Sequence, residues 1–290
     1  MNLTSPAVIK DLMEESGFSF KKKFGQNFLI NKDIPKRIAE ASLPDNECQK
    51  LACIEIGPGI GVMTEHLSSF YDKVVAFEID SDLIPLLSKT LEGKDNVTVI
   101  NKDILEVDLK SFIEDELDGY HVSVCANLPY YITTPIIMSL FESKANIEKI
   151  VVMIQKEVAT RLTASAGSTE YGSITPTVQY YSIVKKLFDV APGNFMPRPD
   201  VTSTVISFER RKEPIVVPDS EDMLFRTIKG AFALRRKTIV NSLSTEFHQL
   251  TKEEIANCLT DAGISPSCRG ETLDLKSLCE LSNKINKLVN

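Results

Sequence analysis

The stretch LACIEIGPGIG, residues 51–61, decides the fold. A short apolar run followed at once by closely spaced glycines is typical of a strand that turns sharply into a helix. Gly57, Gly59 and Gly61 let the backbone pass close to a ligand, and the helix that follows begins with free N–H groups. Such a loop predicts a ligand site, but NAD enzymes, flavoproteins and methyltransferases all use one.

The same alternation of apolar runs and helical patterns continues along the chain. Further candidate strands are VVAFEI, VTVI, HVSVCA, IVVMI and, after the loop APGNFMPRPD, VTSTVISFE. Candidate helices cover about 33–42, 62–70, 81–91, 134–143 and 156–165. Strands that are apolar on both faces and separated by helices require a parallel sheet covered on both sides. We therefore predict a doubly wound, Rossmann-like α/β fold with its ligand at the carboxyl ends of the strands.

The pattern becomes purely helical near residue 219. Ser220 is a candidate helix cap, Thr251 to Glu254 is a capping box, and the charged stretch ERRKEPIVVPD is the candidate linker. We predict a Rossmann-like domain over residues 1–209 and a small all-helical domain over residues 210–290. An N-terminal extension, residues 1–20, should carry a short helix between Pro6 and Gly17.

Composition excludes several classes of protein. The 290 residues are 43% hydrophobic and 25% charged, which fits a folded chain with a substantial core and excludes disordered and fibrous proteins. The sequence has neither an apolar stretch of roughly 18 residues nor a signal-peptide pattern, so we expect a cytoplasmic protein that makes no use of a membrane. The six cysteines form no CxxC pair, which predicts free thiols and no metal site.

Net charge leaves the question of a nucleic-acid partner open. The formal charge of −7 argues against nucleic acid, because domains that bind phosphates are usually basic. Basic residues nevertheless form tight runs at 21–23, 210–212 and 235–237. A local run of this kind can bind phosphates even on an acidic protein.

Two acidic residues follow successive predicted strands. Glu78 lies about twenty residues after Gly57, where a carboxylate accepts hydrogen bonds from ribose hydroxyls. Asp103 follows the next strand and could accept a hydrogen bond from an adenine amino group. Together with Gly57 and Gly59, these acids predict a nucleoside-containing cofactor.

The motif Asn127-Leu128-Pro129-Tyr130 indicates the chemistry. An exocyclic amine of adenine or cytosine is a poor nucleophile because its lone pair is delocalised into the ring. An asparagine oxygen and a nearby backbone carbonyl can accept its two N–H bonds and aim the lone pair at an electrophilic methyl group. The proline fixes an extended turn that presents the carbonyl, and the tyrosine ring can stack on the base.

At this point the sequence resembles the KsgA (RsmA) type of small-subunit ribosomal RNA adenine dimethyltransferases. The motifs that carry the resemblance run from about residue 20 to about residue 281, and they are FGQNFL (24–29), EIGPGIG (55–61), FEID (77–80), NLPY (127–130), FMPRP (195–199) and FALRRK (232–237). The resemblance implies S-adenosyl-L-methionine as methyl donor and N6,N6-dimethylation of two adjacent adenines in the 3′-terminal hairpin loop of 16S rRNA. It also implies that the assembling 30S subunit, rather than naked RNA, is the working substrate.

The resemblance further implies roles for individual residues. Asn27, Leu29, Gly57, Glu78, Asp103 and Asn127 look like cofactor contacts, and Asn127 would also hold the target amine. Tyr130 and Phe195 look like the two aromatic faces around the target base. Candidate RNA contacts are Lys21, Lys22, Lys23, Arg235, Arg236 and Lys237. Where relatives often carry Arg-Pro-Glu, this chain has Arg269-Gly270-Glu271, and we expect that turn to be looser.

Three other functions remain open at this stage. A methyltransferase of the macrolide-resistance type, acting on an adenine of 23S rRNA, shares the cofactor site and the NLPY-type loop, although the FALRRK and RGETLDL segments favour the small-subunit enzyme. A ribosome-assembly factor with secondary catalysis would use the same fold mainly for binding. Nothing in the glycine loop suggests the hydride acceptor of a nicotinamide oxidoreductase. We expect a monomer, because the site must accept a ribosomal particle.

Overall fold

The segment around residues 51–61 forms a strand, a loop and a helix in the computed structural model, which describes residues 1–17, 19–21, 25–44 and 50–289. The chain forms two compact units. The first comprises Met1–Ala159 and Lys185–Arg210, and the second comprises Thr160–Val184 and Arg211–Asn290.

Strands of the first unit form a two-stranded pair and a seven-stranded sheet. In chain order the strands are β1 (Phe28–Leu29), β2 (Leu51–Ile56), β3 (Lys73–Glu78), β4 (Val97–Asn101), β5 (His121–Asn127), β6 (Ile147–Gln155), β7 (Ser182–Val190), β8 (Phe195–Met196) and β9 (Ser203–Arg210). The large sheet has the order β4-β3-β2-β5-β6-β9-β7, while β1 and β8 pair separately. The five strands in the order β4-β3-β2-β5-β6 are parallel to one another, and β9 is antiparallel to β6.

This order creates a switch point between β2 and β5. From β2 the chain moves outward to β3 and β4, and it then returns to the other side of β2 to form β5. The connections on the two sides diverge, which opens a crevice at the carboxyl ends of these strands. The sequence prediction of a doubly wound sheet is confirmed, and β2 and β5 supply the glycine loop and the NLPY motif on either side of the crevice.

Helices separate the parallel strands, and those predicted at about 33–42, 62–70, 81–91, 134–143 and 156–165 are present, whereas the helix Leu109–Glu116 was not predicted. Those of the first unit are α1 (Pro6–Ser16), α2 (Asp33–Ala41), α3 (Val62–Phe70), α4 (Ile84–Thr90), α5 (Leu109–Glu116), α6 (Thr133–Glu142) and the start of α7 (Lys156–Leu162). α1 begins after Ser5 and ends at Gly17, whose φ of 65° is left-handed, as the sequence predicts. Ile9 and Leu12 on this helix are buried in the core of the first unit.

The second unit has its own helical core. Its helices are the end of α7, α8 (Ile174–Tyr181), α9 (Glu221–Ala233), α10 (Ile239–Leu243), α11 (Lys252–Asp261) and α12 (Leu275–Val289). The predicted caps are present: the Ser220 hydroxyl accepts a hydrogen bond from the amide of Met223, and Thr251 and Glu254 form a complete capping box.

The division into units differs from a single boundary near residue 210. Thr160–Val184, expected in the first domain, belongs to the second unit. Aromatic packing explains the grouping, because Tyr180 on α8 contacts Phe225 on α9 and Tyr171 contacts Phe232. These rings pack among the C-terminal helices. A domain boundary placed where the sequence pattern becomes purely helical does not show such contacts between distant residues.

The turn at Gly270 is tightly packed, contrary to the expectation of a looser one. Gly270 is buried and begins a short 3-10 helix, Gly270–Thr272. A methyl group on its Cα would lie 2.1 Å from the carbonyl oxygen of Ala231. The absence of a side chain therefore allows this turn to approach α9.

We expect Gly270→Ala to destabilise the protein by about 1–3 kcal/mol, because the added methyl group overlaps backbone that cannot move freely. Urea unfolding measures the change. Gly172→Ala is the matched control in the same unit, because a methyl group there would lie 3.9 Å from Arg161, at ordinary contact distance. Equal stabilities of the two variants would contradict this account of the turn.

Candidate active site

The glycine loop connects β2 to α3 through left-handed backbone. Gly57 and Gly59 have φ values of 70° and 62°, which side chains other than glycine rarely adopt. A methyl group at Gly59 would also lie 3.1 Å from the ring of Phe28. Glycine at this position therefore serves both the turn and the close packing of Gly25–Leu29, here called the N-terminal segment, on the loop.

A cleft that is open to solvent lies at the carboxyl ends of β2, β3 and β5. Its lining residues come from the N-terminal segment, the glycine loop, the end of β3 and the NLPY motif. The predicted site residues that line it are Asn27, Leu29, Gly57, Gly59, Glu78, Asn127, Leu128, Pro129 and Tyr130. The structure thus brings together residues from four separate motifs.

Glu78 connects the end of β3 to the glycine loop. Its side chain is buried, and its Oε2 accepts a hydrogen bond from the amide of Gly59 at 3.2 Å while Oε1 accepts one from the amide of Asp80 at 2.9 Å. Burial raises the pKa of Glu78 even though these amides favour the ionised form. The two amides fix the carboxylate in place, and each oxygen can accept a further hydrogen bond from a ligand.

Glu55 is a second buried acid in the cleft, and the sequence analysis gave it no role. Its side chain is fully buried in β2, and both carboxyl oxygens lack a hydrogen-bond partner among the described residues. Burial raises the pKa of Glu55 to about 8; the nearby Thr64 hydroxyl opposes this rise, and the Glu78 carboxylate adds a smaller increase. The place of Glu55 in the motif EIGPGIG, two residues before Gly57, is the signal that could have identified it.

Asn127 ends β5 and contacts the N-terminal segment. Its Nδ2 donates a hydrogen bond to the carbonyl oxygen of Asn27 at 3.1 Å, which leaves Oδ1 as the acceptor of the amide group. In the following turn, the Pro129 carbonyl accepts hydrogen bonds from Ile132 and Thr133. The carbonyl of Leu128 is therefore the backbone acceptor that the motif can offer.

Two tyrosines lie side by side at the cleft. Tyr130 is half-buried, and its hydroxyl forms a 2.7 Å hydrogen bond with the hydroxyl of Ser203, which fixes the ring. Tyr131 is 58% exposed and also lines the cleft, although the sequence analysis did not select it. A methyl group at Gly25 would lie 3.6 Å from its ring, so Tyr131 packs on the N-terminal segment.

Two predicted site residues do not line the cleft. Phe195 is 3% exposed, packs in the apolar core and pairs with Leu29 between β8 and β1, so in this conformation its ring cannot stack on a base. Asp103 lies two residues beyond β4, where its Oδ1 accepts a hydrogen bond from the amide of Leu105. Its second carboxylate oxygen is the one a ligand could use, and its contact with the cofactor stays a prediction.

The basic runs are placed differently from each other. Lys21 forms ion pairs with Asp80 and Asp82, which follow the carboxyl end of β3, and its contact with RNA stays a prediction. Lys22 and Lys23 lie outside the described residues. In the second unit, Arg235 pairs with Glu271 and donates to the carbonyl of Thr169, while Arg236 and Lys237 are exposed in the turn that follows α9.

In the part of the chain that the structure describes, no group of three or more histidine, cysteine or acidic side chains is arranged to hold a metal ion. None of the helices among the described residues combines the length and the apolar character that a membrane span requires.

A model of the ribosomal RNA adenine dimethylase family matches residues 17–287. The chain belongs to this family. Two curated relatives named "Ribosomal RNA small subunit methyltransferase A", from Bacillus mycoides and Bacillus cereus, are each 43% identical over 287 residues, which cover 98% of this chain and 97% of the relative.

Solved structures agree with this assignment. A dimethyladenosine transferase from Plasmodium falciparum superimposes with a TM-score of 0.73 and 25% identity, and the match covers 90% of this chain and 98% of that one. The 23S rRNA methyltransferase ErmE has a TM-score of 0.66 at 23% identity, covers 89% and 99%, and shows the shared fold. The predicted Rossmann-like methyltransferase fold is confirmed.

As a ribosomal RNA adenine dimethylase, the chain is an rRNA adenine dimethyltransferase, and its methyl donor is S-adenosyl-L-methionine. The enzyme class and the cofactor predicted from the sequence are thereby confirmed.

The buried Glu55 carboxyl predicts a measurable pH dependence of stability. Because the pKa of Glu55 is raised from 4.5 to about 8 in the folded protein, its stabilising contribution is full below 4.5 and is lost as the pH rises towards 8. Glutamine cannot ionise. We therefore expect Glu55→Gln to become progressively more stable than the unsubstituted protein over this range, and the difference to level off above it.

Urea unfolding of the ligand-free proteins at a series of pH values measures this difference. Glu92→Gln, the same substitution at an exposed position, is the control in which no desolvation penalty acts. A stability difference for Glu55→Gln that does not vary with pH would show that the buried carboxyl does not resist ionisation.

Proposed function

We propose that this enzyme dimethylates N6 of two adjacent adenines in the 3′-terminal hairpin loop of 16S rRNA, in the cytoplasm, on the assembling 30S subunit and as a monomer. The observation that carries the proposal is the 43% identity, over nearly the full chain, to relatives named as small-subunit enzymes. The FALRRK segment supports the same choice over a large-subunit substrate.

The residues of the cleft fit S-adenosyl-L-methionine. Glu78 would accept hydrogen bonds from the ribose hydroxyls, because its carboxylate is already oriented by two backbone amides. Glu55 carries two buried oxygens without partners, and a buried carboxyl of this kind needs a donor or a cation. The ammonium group of the methionine moiety is such a cation. Asn27, Leu29, Gly57 and Gly59 would enclose the remainder, with Asp103 at the adenine.

The target adenine would be held by the NLPY motif. In the first transfer, Asn127 Oδ1 and the Leu128 carbonyl accept the two N–H bonds of the exocyclic amine, which keeps its lone pair out of the ring and directs it towards the methyl group. In the second transfer, one N–H remains for one of these two acceptors. Tyr130, fixed through Ser203, offers its ring for stacking on the flipped base. When bound, the cofactor supplies a methyl group already activated by the sulfonium.

Positioning accounts for most of the catalysis in this proposal. Methyl transfer leaves the nitrogen positively charged, and its N–H is far more acidic than that of the neutral amine. The proton can therefore leave to water after transfer, and no strong general base is required. The chain's own contribution is the in-line approach of the amine, which depends on Asn127 and the rigid turn through Pro129. A displacement of about 1 Å at such a site can reduce the rate about 10²-fold.

Transfer of labelled methyl groups tests the substrate. We expect label on small subunits that lack the dimethyladenines, and none on fully modified small subunits or on protein-free 23S rRNA. Label on the 23S rRNA would overturn the proposal in favour of the resistance-type reaction. No label anywhere, despite cofactor binding, would favour an assembly factor in which catalysis is secondary.

Asn127→Ala tests the proposed mechanism. We expect methyl transfer to fall about 10²-fold or more, because the amine loses an acceptor and its orientation, while subunit binding persists. Asn146→Ala is the matched control, because that side chain accepts a hydrogen bond from Arg210 on β9 and does not line the cleft. Near-normal transfer by Asn127→Ala would exclude this role.

Substitutions in the basic turn after α9 test whether this turn contacts the RNA of the 30S subunit. We expect Arg236→Gln/Lys237→Gln to weaken 30S binding and to reduce the slope of log K for 30S binding against log[salt] by about 1–2. A variant that makes fewer phosphate contacts displaces fewer counterions when it binds. Binding of S-adenosylmethionine should be unchanged. Lys252→Gln/Lys287→Gln, which removes two other exposed charges from the same unit, is the control. Unchanged 30S affinity at two salt concentrations would contradict a docking role.

A further inference from the structure

An ionic network joins the N-terminal segment to the end of β3. Lys21 Nζ lies 2.6 Å from Asp80 Oδ1 and 2.6 Å from Asp82 Oδ2. Gln26 Nε2 donates to Asp80 Oδ2 at 2.8 Å, and Gln26 Oε1 accepts from the backbone amide of Lys21 at 2.9 Å. One oxygen of Asp80 is therefore bound by Lys21, which precedes the N-terminal segment, and the other is bound by Gln26, which belongs to it.

The pairing around Asp80 is largely shielded from water. The Asp80 side chain is 1% exposed and that of Lys21 is 28% exposed. Burial alone would raise the pKa of Asp80, but the hydrogen bonds from Lys21 and Gln26 outweigh it and hold the pKa below its ordinary value. A charge-assisted contact in such surroundings is stronger than a surface ion pair, and removal of one partner leaves a buried charge uncompensated.

The network is connected directly to the cleft. The backbone amide of Asp80 donates to Glu78 Oε1, so the residue that binds Lys21 also orients the carboxylate proposed for the ribose. On the other side, the carbonyl of Asn27, next to Gln26, accepts from Asn127 Nδ2. The contacts of the N-terminal segment thus reach both proposed ends of the reaction, the cofactor acid and the amide that holds the target amine.

We propose that Lys21, Gln26 and Asp80 are positioning residues for the cofactor: they hold Gly25–Leu29 against the cleft, so that Asn27 and Leu29 form one wall of the cofactor site. The inference rests on the proposed cofactor site and assigns Lys21 to cofactor binding instead of RNA docking. None of the three needs to take part in methyl transfer itself. Their loss should therefore affect the affinity for the cofactor more than the rate of the chemical step.

Calorimetric titration of the full-length protein with S-adenosylhomocysteine tests this assignment. We expect Lys21→Met and Asp80→Asn to raise Kd about tenfold, because each removes a shielded charge-assisted contact. Lys21→Arg, which keeps the charge, should recover much of the loss. Lys89→Met is the matched control, because it removes another lysine that forms an ion pair, with Glu15, but at the exposed surface.

Steady-state kinetics separate positioning from general damage to the fold. We expect the KM for S-adenosylmethionine to rise in Lys21→Met, with kcat at saturating cofactor changed less than about threefold and the thermal unfolding midpoint retained. If Lys21→Met fails to fold, Gln26→Leu supplies the test, because it removes a neutral contact to the same Asp80 carboxylate. An equal loss of kcat and of affinity for 30S subunits, with an unchanged KM, would overturn the proposal.

Glu78→Gln distinguishes failure of this inference from failure of the cofactor site. If Glu78→Gln binds S-adenosylhomocysteine weakly and Lys21→Met binds it with native affinity, the positioning role is overturned and the cofactor site is retained. Native binding by Glu78→Gln as well would overturn the cofactor site and this inference with it. Weak binding by both, with Lys89→Met unchanged, is the expected result.

Discussion

The carboxylate of Glu78, held between the amides of Gly59 and Asp80, is the interaction on which the geometry of the cleft depends. It joins the carboxyl ends of two adjacent strands and stabilises the left-handed turn at Gly59. The cost of burying this acid is offset only while both amides remain in place. The parallel sheet supplies the switch point, and Glu78 determines how the loops at that point face each other.

The acids of the cleft also indicate the charge of its ligand. Glu55 and Glu78 line one face, and the Glu55 carboxyl has no hydrogen-bond partner among the described residues. A pyrophosphate-bearing dinucleotide would place negative charge near these carboxyls, which is unfavourable at short range in a shielded site. An ammonium and a sulfonium are positive, and they favour the ionised form of a carboxyl that burial keeps protonated. Electrostatics thus agrees with the family assignment and with the rejection of a nicotinamide cofactor.

Much of the fold and part of the cleft could be predicted because they depend on local signals. The apolar runs, the glycines at 57 and 59 and the position of Glu78 all reflect backbone constraints that a sequence displays directly. β7 and α8 were missed because their identity depends on packing. β7 lies at the edge of the sheet and is buried only at its two ends, Ser182 and Val190, so it has no apolar run or clear alternation. α8 finds its apolar contacts among helices more than forty residues away. Gly270 was misjudged for the same reason, since the limiting contact is the Ala231 carbonyl on another helix.

Lys21 and Phe195 show the corresponding limit for function. A run of lysines in sequence indicates positive charge, but whether that charge is available to RNA depends on carboxylates that the fold brings from elsewhere, here Asp80 and Asp82. An aromatic residue within a family motif indicates a role, but its ring can instead be buried, as that of Phe195 is. Glu78 and Asp80 both belong to the motif FEID, and only their contacts in the structure show that the two acids have different roles. Glu78 lines the cleft, and Asp80 binds Lys21 and Gln26 at the N-terminal segment. Neighbouring carboxylates with the same charge thus serve different parts of a single site.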